Sequence, residues 1–380
     1  MSDWQYSSLG EILPFKYGKG LPERKRSGTG EYNVVSSAGI TGTHNTALTS
    51  EPCVVIGRKG TIGSLHYCPE PVWPIDTTFY VTGSKQIELR YAYYLLRTLP
   101  LATMNNDSAI PGLNRSQAEA IKVCIPDITE QRRIAGVLGA LDDKIESNLR
   151  TISLSELLIL AHFSQLFNSG HVSAGTALSD LMEVNPRYSL KRESLAIKVS
   201  MQDIPSDSPI INTHSVMPVG AGSRFSNGDV LFARISPCLE NGKTAVVDFL
   251  SGSEVGFGST EFIILSPRGE ISTTWIYALA REPNFREACR QAMSGSSGRQ
   301  RLSADFFSRY TIATPKEFDL VAFNKATMPL LTLMGARRDE NQRLAQLRDA
   351  LLPELMSGRM RVDDAGCLVS EALDEEVADV

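Results

Sequence analysis

The chain has 380 residues, is 42% hydrophobic and has a formal net charge of −5, a composition typical of a globular protein with two or three packed domains. No run reaches the roughly eighteen apolar residues of a membrane span, and the N-terminus lacks the charged and then apolar pattern of a signal peptide. We therefore expect a cytoplasmic protein. Six cysteines occur without a CxxC spacing, which favours reduced thiols over disulfides or zinc sites.

The first 129 residues alternate short β-rich runs with clusters of Gly, Pro, Thr and Ser. Strands are predicted at residues 32–36, 54–57, 78–82 and 120–125, and a helix at residues 89–99. This pattern predicts a mixed domain of sheet, helix and loops over residues 1–129.

A long helix is predicted next, because residues 130–167 contain neither proline nor a cluster of turn residues and their apolar side chains recur every three or four positions. Asp127 or Thr129 is expected to cap it, and Asn168-Ser169-Gly170 to end it. Its length would be about 57 Å. We assign residues 130–169 to this spacer helix, and we include Leu149 in its apolar stripe.

A second domain is predicted over residues 170–317, with strands at 229–233, 244–248 and 261–265 and a helix at 274–281. A second long helix is predicted from residue 318 to residue 356, in a spacer-helix segment assigned to residues 318–360; Pro329 and Pro353 are expected to kink it, and Ser357-Gly358 to end it. Residues 361–380 hold one Arg against seven Asp and Glu, so we expect a disordered acidic tail, without which the net charge is +1.

The two halves are copies of one plan. Residues 113–126 align without a gap on residues 302–315 at a shift of 189, and the long helices follow the same shift. Farther upstream, residues 54–58 (VVIGR) resemble 230–234 (VLFAR), and 78–81 resemble 261–264. Divergence before each helix is typical of two related but different recognition surfaces.

The fold class follows from this repeat: α+β, with two mixed α/β domains separated by a pair of long antiparallel helices related by a pseudo-two-fold internal repeat. The alternative is two separate helices, each on its own domain, which would leave a long apolar stripe in water. The residues expected to form the helix pair are Ile134, Leu138, Leu141, Ile145, Ile152, Ile159, Met334, Leu344, Leu347 and Leu351.

No catalytic, nucleotide or metal site is predicted. Asn185-Pro186-Arg187-Tyr188 is similar to the Asn/Asp-Pro-Pro-aromatic motif of amino-methyltransferases but lacks the second proline, so a turn is favoured. Gly242-Lys243-Thr244 ends like a phosphate-binding loop without its glycine-rich part. The five histidines are scattered and assemble no metal-ligand pattern.

Basic side chains recur at matching places in both halves, typically on loops, and favour nucleic-acid binding over ordinary solvated charge. Arg58 and Lys59 follow a predicted strand on a glycine-containing turn, where backbone amides could approach a phosphate. Arg234 is the matching residue of the second half. The predicted DNA-binding residues are Lys16, Lys19, Arg24, Lys25, Arg26, Arg58, Lys59, Thr61, Arg224, Arg234, Lys243, Arg299, Gln300 and Arg301.

Three phrases carry a family resemblance: VVIGRKGTIG at residues 54–63, IPDITEQRRIAGVLGALDDKIESN at 125–148 and LAQLRDALLPELMSGRMRV at 344–362. With the tandem plan, they make the chain similar to the specificity subunit of a type I restriction-modification enzyme. The resemblance implies a non-catalytic subunit whose two target recognition domains read the halves of a bipartite, asymmetric DNA site, with the long helices as the spacer. The second domain departs from the pattern because it lacks the GxxGxxG of the first.

The resemblance also implies partners. Two methyltransferase subunits, which would hold the S-adenosylmethionine, and motor-nuclease subunits are expected, with no cofactor on this chain and no membrane contact. Polar residues expected on the outer helix faces are the candidates for partner contact: Arg132, Arg133, Asp142, Asp143, Arg337 and Arg338. The alternatives are a DNA methyltransferase or other enzyme active on its own, and a peptide-binding scaffold.

Overall fold

A computed structural model describes residues 4–104, 112–167, 170–192, 194–296 and 298–374. The chain forms two compact units, unit 1 from residues 1–144 and 343–380, and unit 2 from residues 145–342. Each long helix therefore contributes residues to both units. The sequence assigned these helices to segments of their own, whereas in the structure each unit includes part of both.

The elements of the first half alternate short strands with short helices before one long helix. Turns of 3-10 helix occur at Glu23–Lys25 and Leu101–Thr103. In chain order the elements are β1 (Gln5–Ser8), α1 (Leu9–Ile12), β2 (Lys16–Tyr17), β3 (Tyr32–Ser36), β4 (Gly39–His44), β5 (Cys53–Gly57), β6 (Leu65–Cys68), β7 (Trp73–Pro74), β8 (Thr78–Val81), α2 (Leu89–Thr98), α3 (Arg115–Glu119), β9 (Lys122–Ile125) and α4 (Ile128–Leu166).

The second half follows the same plan, with a 3-10 turn at Met201–Asp203. Its elements are β10 (Thr176–Ala177), α5 (Leu178–Leu181), β11 (Glu183–Val184), β12 (Leu195–Val199), β13 (Ser215–Pro218), β14 (Arg224–Ser226), β15 (Val230–Ala233), β16 (Thr244–Val246), β17 (Val255–Gly258), β18 (Phe262–Ser266), α6 (Thr273–Arg281), α7 (Pro283–Gln291), α8 (Phe306–Arg309), β19 (Thr311–Ile312), α9 (Glu317–Met356) and α10 (Val362–Asp374). This mixture of helix and sheet confirms the predicted α+β class.

The internal repeat is visible in the strand pairing of each unit. The sheet order β2-β8-β5-β6 in unit 1 matches β11-β18-β15-β16 in unit 2, and the small β1-β9 sheet matches β10-β19. The third sheets differ: β4-β3-β7 has three strands and β13-β12-β17-β14 has four. Divergence between the two copies is thus concentrated in one sheet and its loops.

The strand register corrects one part of the predicted repeat. Gly57 pairs with Thr78 in unit 1, and Ala233 pairs with Phe262 in unit 2. Thr78 therefore corresponds to Phe262, one position later than the sequence comparison placed it. An alignment of two apolar runs of similar composition can be wrong by one residue without a visible mismatch. In a strand, an error of one residue assigns every side chain to the opposite face of the sheet.

Local signals account for the ends of the long helices. The Asp127 carboxylate accepts hydrogen bonds from the backbone N–H groups of Thr129 and Glu130, at 2.8 and 3.0 Å, as an N-cap should. Gly358 has a φ of +71°, a left-handed conformation that ends α9 directly after Met356 and Ser357. The predicted stop at Asn168-Ser169 lies outside the described residues. α9 runs through Pro329 and Pro353 as one continuous element.

The two long helices contact each other in both units and run antiparallel in unit 2. In unit 1, Asp142 of α4 forms an ion pair of 2.6 Å with Arg348 of α9. In unit 2, the rings of Phe163 and Phe323 lie 6.1 Å apart, centroid to centroid. Asn148 of α4 also contacts Asn341 of α9 in unit 2, so a step forward along α4 is matched by a step backward along α9. Of the residues expected in the helix pair, Ile145 and Leu347 are partly exposed and the others are buried.

The apolar stripe of α4 takes a different path from the predicted one near its middle. Leu149 is 53% exposed, whereas its neighbour Asn148 is 2% exposed. The Asn148 amide donates to the Asn341 side-chain oxygen of α9 at 2.9 Å. The buried positions recur every three and four residues, as in a coiled coil, so the stripe passes through Asn148. A paired polar residue in such a seam favours one register of the two helices.

The predicted disordered tail is wrong for residues 362–374, which form α10. Its Val362, Ala365 and Val369 are buried, and Asp363 forms an ion pair with Arg133 of α4. The apolar residues at three- and four-residue spacing give this acidic segment a face to bury, which net charge alone does not reveal. Residues 375–380 lie outside the described residues.

Candidate nucleic-acid interface

Arg58 and Arg234 occupy the same main-chain position in the two units. Each follows a strand of the sheet order that the two units share, β5 or β15, and donates its backbone N–H to a neighbouring carbonyl: Arg58 to Thr77 at 2.9 Å and Arg234 to Glu261 at 3.0 Å. The carbonyls of Arg58 and Arg234 accept from Leu113 and Leu302, both at 2.9 Å. These leucines are equivalent under the shift of 189, so Arg58 and Arg234 occupy equivalent positions in the two copies.

The turn after Arg58 depends on its three glycines. A β-carbon on Gly57 would collide with the carbonyl oxygen of Thr61, and Gly60 and Gly63 have φ values of +77° and +70°. The backbone N–H groups of Arg58 and Lys59 both donate to the Thr77 carbonyl, at 2.9 and 3.1 Å. These two amides therefore have acceptors within unit 1, and for the other amides of the turn the approach to a phosphate stays a prediction. The side chains of Lys59 and Thr61 are exposed and could also make a contact.

Arg58 lies in a basic and aromatic cluster in unit 1. Its guanidinium carbon is 5.4 Å from the centre of the Tyr17 ring and 5.7 Å from that of Phe79. Arg115 lies 5.7 Å from the same Tyr17 ring and forms an ion pair of 2.9 Å with Glu119. Stacking on rings holds a guanidinium in a fixed orientation while leaving its N–H groups available. Within the described residues, the buried Arg58 Nε has no hydrogen-bond partner.

The sequence missed Tyr17 and Arg115. Tyr17 is 53% exposed and lies on β2 beside Lys16, whose ammonium is 3.3 Å from the Thr82 hydroxyl. Pairing of β2 with β8 brings Tyr17 opposite Phe79 and thus next to Arg58. The two-residue strand β2 is too short for a periodicity signal, so its partners could not be deduced from spacing.

The other basic residues predicted in unit 1 are distributed over its surface. Lys19, Arg24 and Lys25 are exposed, the last two in a 3-10 turn. Arg26 instead donates to the carbonyls of Leu21 and Thr41, at 3.3 and 3.2 Å, which makes it a support for this loop.

Arg234 borders a recess of about 510 Å³ in unit 2, which Arg187 and Arg224 also line. The recess includes the Asn185-Pro186-Arg187-Tyr188 turn. The Asn185 side-chain oxygen accepts from Ile264 N–H at 3.0 Å. The Tyr188 hydroxyl donates to Asp229 at 3.0 Å, and burial raises the pKa of Tyr188 to about 12. These hydrogen bonds hold the turn against the sheet. The segment is thus a turn, as the sequence analysis favoured over a methyltransferase motif.

The residues Arg299, Gln300 and Arg301 lie at the end of a hairpin in unit 2. Backbone hydrogen bonds between Ser294 and Arg301, at 2.9 and 3.1 Å, close this hairpin. Arg299 and Gln300 are exposed. Arg301 makes a bidentate ion pair with Glu261, at 2.7 Å from Nη2 and 2.9 Å from Nε, and these hydrogen bonds lower the pKa of Glu261. Arg234 Nε lies 3.8 Å from the same carboxylate.

Two predicted contacts, Arg224 and Lys243, have partners within unit 2. The Lys243 ammonium donates to the carbonyls of Met201 and Ile204 at 2.8 and 3.0 Å, so it joins two segments of the unit. Arg224 donates to the Tyr188 carbonyl at 2.9 Å. Lys243 thus has a structural role that the sequence pattern did not indicate.

The candidate partner contacts differ in accessibility. Arg132 is exposed, and Arg133 is exposed while paired with Glu130 and Asp363. Three others are held by neighbours: Asp142 by Tyr94 and Arg348, Asp143 by Arg90, and Arg337 by Glu340. Arg338 is only 5% exposed and forms ion pairs with Asp248 and Asp339. The outer-face position expected for Arg338 is therefore wrong.

The described part of the chain contains neither a candidate metal site nor a candidate membrane-spanning helix. No group of three or more His, Cys, Asp or Glu residues is placed to hold a metal ion. None of the described helices combines the length and apolar character needed to cross a lipid bilayer.

The structure thus defines a duplicated α+β protein with an arginine at the same main-chain position in each copy, and comparisons with known proteins give its relatives. Residues 1–153 match the family described as "Type I restriction modification DNA specificity domain". The EcoEI specificity subunit of Escherichia coli is 33% identical over 94 residues, which are 24% of this chain and 16% of that protein. The EcoAI specificity subunit is 30% identical over 152 residues, 37% of this chain and 25% of that protein.

A longer match covers both copies. The MjaIX specificity subunit of Methanocaldococcus jannaschii is 22% identical over 357 residues, 82% of this chain and 78% of that protein. The crystal structure of the type I restriction-modification S subunit from M. genitalium aligns with this chain at a TM-score of 0.61 and 15% identity. The alignment covers 93% of this chain and 96% of that one, so the two proteins have the same fold. The resemblance to type I specificity subunits drawn from the sequence is confirmed, although the matched segments span a quarter or less of the two E. coli relatives.

Proposed function

We propose that this chain is the DNA-recognition subunit of a type I restriction-modification complex, and that each unit contacts one half of a bipartite, asymmetric site. The observation that carries the proposal is the duplicated arginine: Arg58 and Arg234 share their main-chain hydrogen bonds while their surroundings differ. A shared cation suits the phosphate backbone, which is common to every sequence, and divergent neighbours suit different bases.

Partner subunits are part of the same proposal. The methyltransferase subunits, carrying S-adenosylmethionine, would dock on the chain together with motor-nuclease subunits in the cytoplasm. Exposed leucines on the unit 2 portion of α4 support such docking: Leu149, Leu154, Leu157 and Leu158 are 51–59% exposed, and the last three share one side of the helix. Large apolar side chains clustered on a helix surface are typical of a protein interface.

Replacing Arg58 and Lys59 together with alanine tests the DNA contact of unit 1. Each lost phosphate contact should flatten the plot of log affinity against log salt by about 0.9. Affinity of the assembled complex for duplex DNA should therefore fall at low salt, in fluorescence anisotropy titrations from about 50 to 200 mM salt. Arg58→Lys, which keeps the charge, should retain most of the slope.

Arg359→Ala is the matched control for this experiment. It removes one exposed cation from unit 1, where Arg359 is paired with Glu354 at 2.7 Å. Its salt dependence should equal that of the unaltered complex. An unchanged slope in the Arg58 and Lys59 double variant would contradict the assignment of these residues.

Incubation with labelled S-adenosylmethionine and DNA tests whether the chain is non-catalytic. Label should be transferred only when methyltransferase subunits are added, and Leu154→Asp with Leu158→Asp should abolish this transfer by blocking assembly. Transfer by the purified chain alone would establish the alternative of an independent methyltransferase. Failure of the complex to retain duplex DNA would favour a peptide-binding scaffold.

A further inference from the structure

The Glu261–Arg301 pair in unit 2 has the geometry of a side chain prepared to read a base. Glu261 accepts from one side of the guanidinium, through Nε at 2.9 Å and Nη2 at 2.7 Å. Nη1 makes only a long contact of 3.4 Å with the Arg299 carbonyl. The outer edge of the guanidinium, formed by Nη1 and Nη2, keeps one N–H on each nitrogen, and these two point in parallel.

The pair is accessible and lies beside other basic residues of unit 2. The Arg301 side chain is 41% exposed, whereas that of Glu261 is 23% exposed. The less exposed carboxylate thus supports a more exposed arginine. The adjoining Arg299 and Gln300 are exposed, and Arg234 borders the same carboxylate at 3.8 Å.

The equivalent positions of unit 1 hold different residues. Thr77 accepts the Arg58 backbone N–H as Glu261 accepts that of Arg234, so Thr77 corresponds to Glu261. Gly112 corresponds to Arg301 at the shift of 189. Unit 1 therefore has neither the carboxylate nor the arginine at these two positions. The pair belongs to the part of the repeat that differs, whereas Arg58 and Arg234 belong to the part that is shared.

Two parallel N–H donors match the O6 and N7 acceptors of guanine in the major groove, and no other base pair edge offers two adjacent acceptors there. A carboxylate that fixes the guanidinium reduces the entropy lost when the arginine binds. A phosphate also accepts two parallel hydrogen bonds, but it would not require the arginine to differ between the two copies.

We propose that Arg301 recognises a guanine in the half-site contacted by unit 2, and that Glu261 is its positioning residue. This inference rests on the proposed function, since it assumes that unit 2 binds DNA. It assigns base specificity to Arg301 and leaves the phosphate contact to Arg234.

Selection of duplexes from a library with two randomised half-sites tests the assignment, using the full chain assembled with its methyltransferase subunits. Arg301→Ala should reduce the preference for guanine at one position of one half-site by about tenfold to a hundredfold, the value of one bidentate base contact. The other half-site should be unchanged. Arg301→Lys keeps the charge but has no planar pair of donors for Glu261 to orient, so it should restore the preference only in part. Glu261→Gln should weaken the preference by a smaller factor.

Arg290→Ala is the matched control, because Arg290 forms a bidentate pair with Glu287 on α7, at 2.6 and 2.7 Å. Its selected sequences should equal those of the unaltered complex. If the unaltered complex selects no sequence, the proposed function fails. If it selects a bipartite site that Arg301→Ala leaves intact, the guanine assignment alone is wrong. A uniform loss of affinity restored by lysine would make Arg301 a phosphate contact and would also overturn the assignment.

Discussion

Replacing Arg338 with alanine is expected to lower the free energy of unfolding of unit 2 by about 3–5 kcal/mol, the cost of breaking a buried ion pair by removing one partner. Arg338 is 5% exposed, and its partner Asp248 has a side chain 16% exposed. Without the guanidinium, the carboxylate would remain buried beside Asp339, which is also negative. Urea titration of the full chain, with Trp4 and Trp73 replaced by phenylalanine so that Trp275 reports on unit 2, measures the loss.

The destabilisation by Arg338→Ala should depend on pH in a defined direction. Burial raises the pKa of Asp248 above its ordinary value even with Arg338 present, and loss of Arg338 would raise it further. A carboxyl with a raised pKa in the folded state contributes stability below its unfolded pKa and loses it as the pH rises through the folded pKa. The difference between the variant and the unaltered chain should therefore be larger at pH 7 than near pH 4.

Lys325→Ala is the control for this prediction, because Lys325 is exposed on the unit 2 portion of the same helix. It should change the unfolding free energy by no more than about 0.5 kcal/mol. A loss below about 1 kcal/mol for Arg338→Ala would show that Asp248 is solvated or repartnered in the variant.

The long helices could be predicted from the sequence because their signal is repeated over ten turns, so that single misplaced residues do not change the outcome. The same periodicity failed at single positions. It placed Leu149 in the stripe, whereas the structure buries Asn148, because a pattern of apolar residues selects leucine over a neighbouring asparagine that has a polar partner on α9. Arg338 was predicted to be exposed because no sequence pattern near it indicates the buried Asp248, ninety residues away.

Some residues of the candidate interface could likewise be predicted from the sequence, and others could not. Arg58 and Arg234 were found because a strand, an arginine and a turn are adjacent in sequence. The Glu261–Arg301 pair joins residues forty positions apart, and Tyr17 reaches Arg58 only through pairing of β2 with β8. Residues that act through tertiary contacts leave no local spacing, and the one-residue slip between Thr77 and Glu261 hid their equivalence.

Lengthening both long helices is expected to change the spacing of the two half-sites. The chain passes from unit 1 to unit 2 within α4 and returns within α9, so both crossings lie in the helix pair. Four residues inserted near Asn148, with four near Asn341, would add about 6 Å, or roughly two base pairs at about 3.4 Å each. A seven-residue insertion at both places would add about three base pairs while nearly preserving the helix face. Insertion in α4 alone should instead disturb the Asn148–Asn341 pairing and reduce assembly. Mapping methylated bases in cells that carry each variant measures the gap, and unchanged spacing in the matched insertions would show that the helices do not set it.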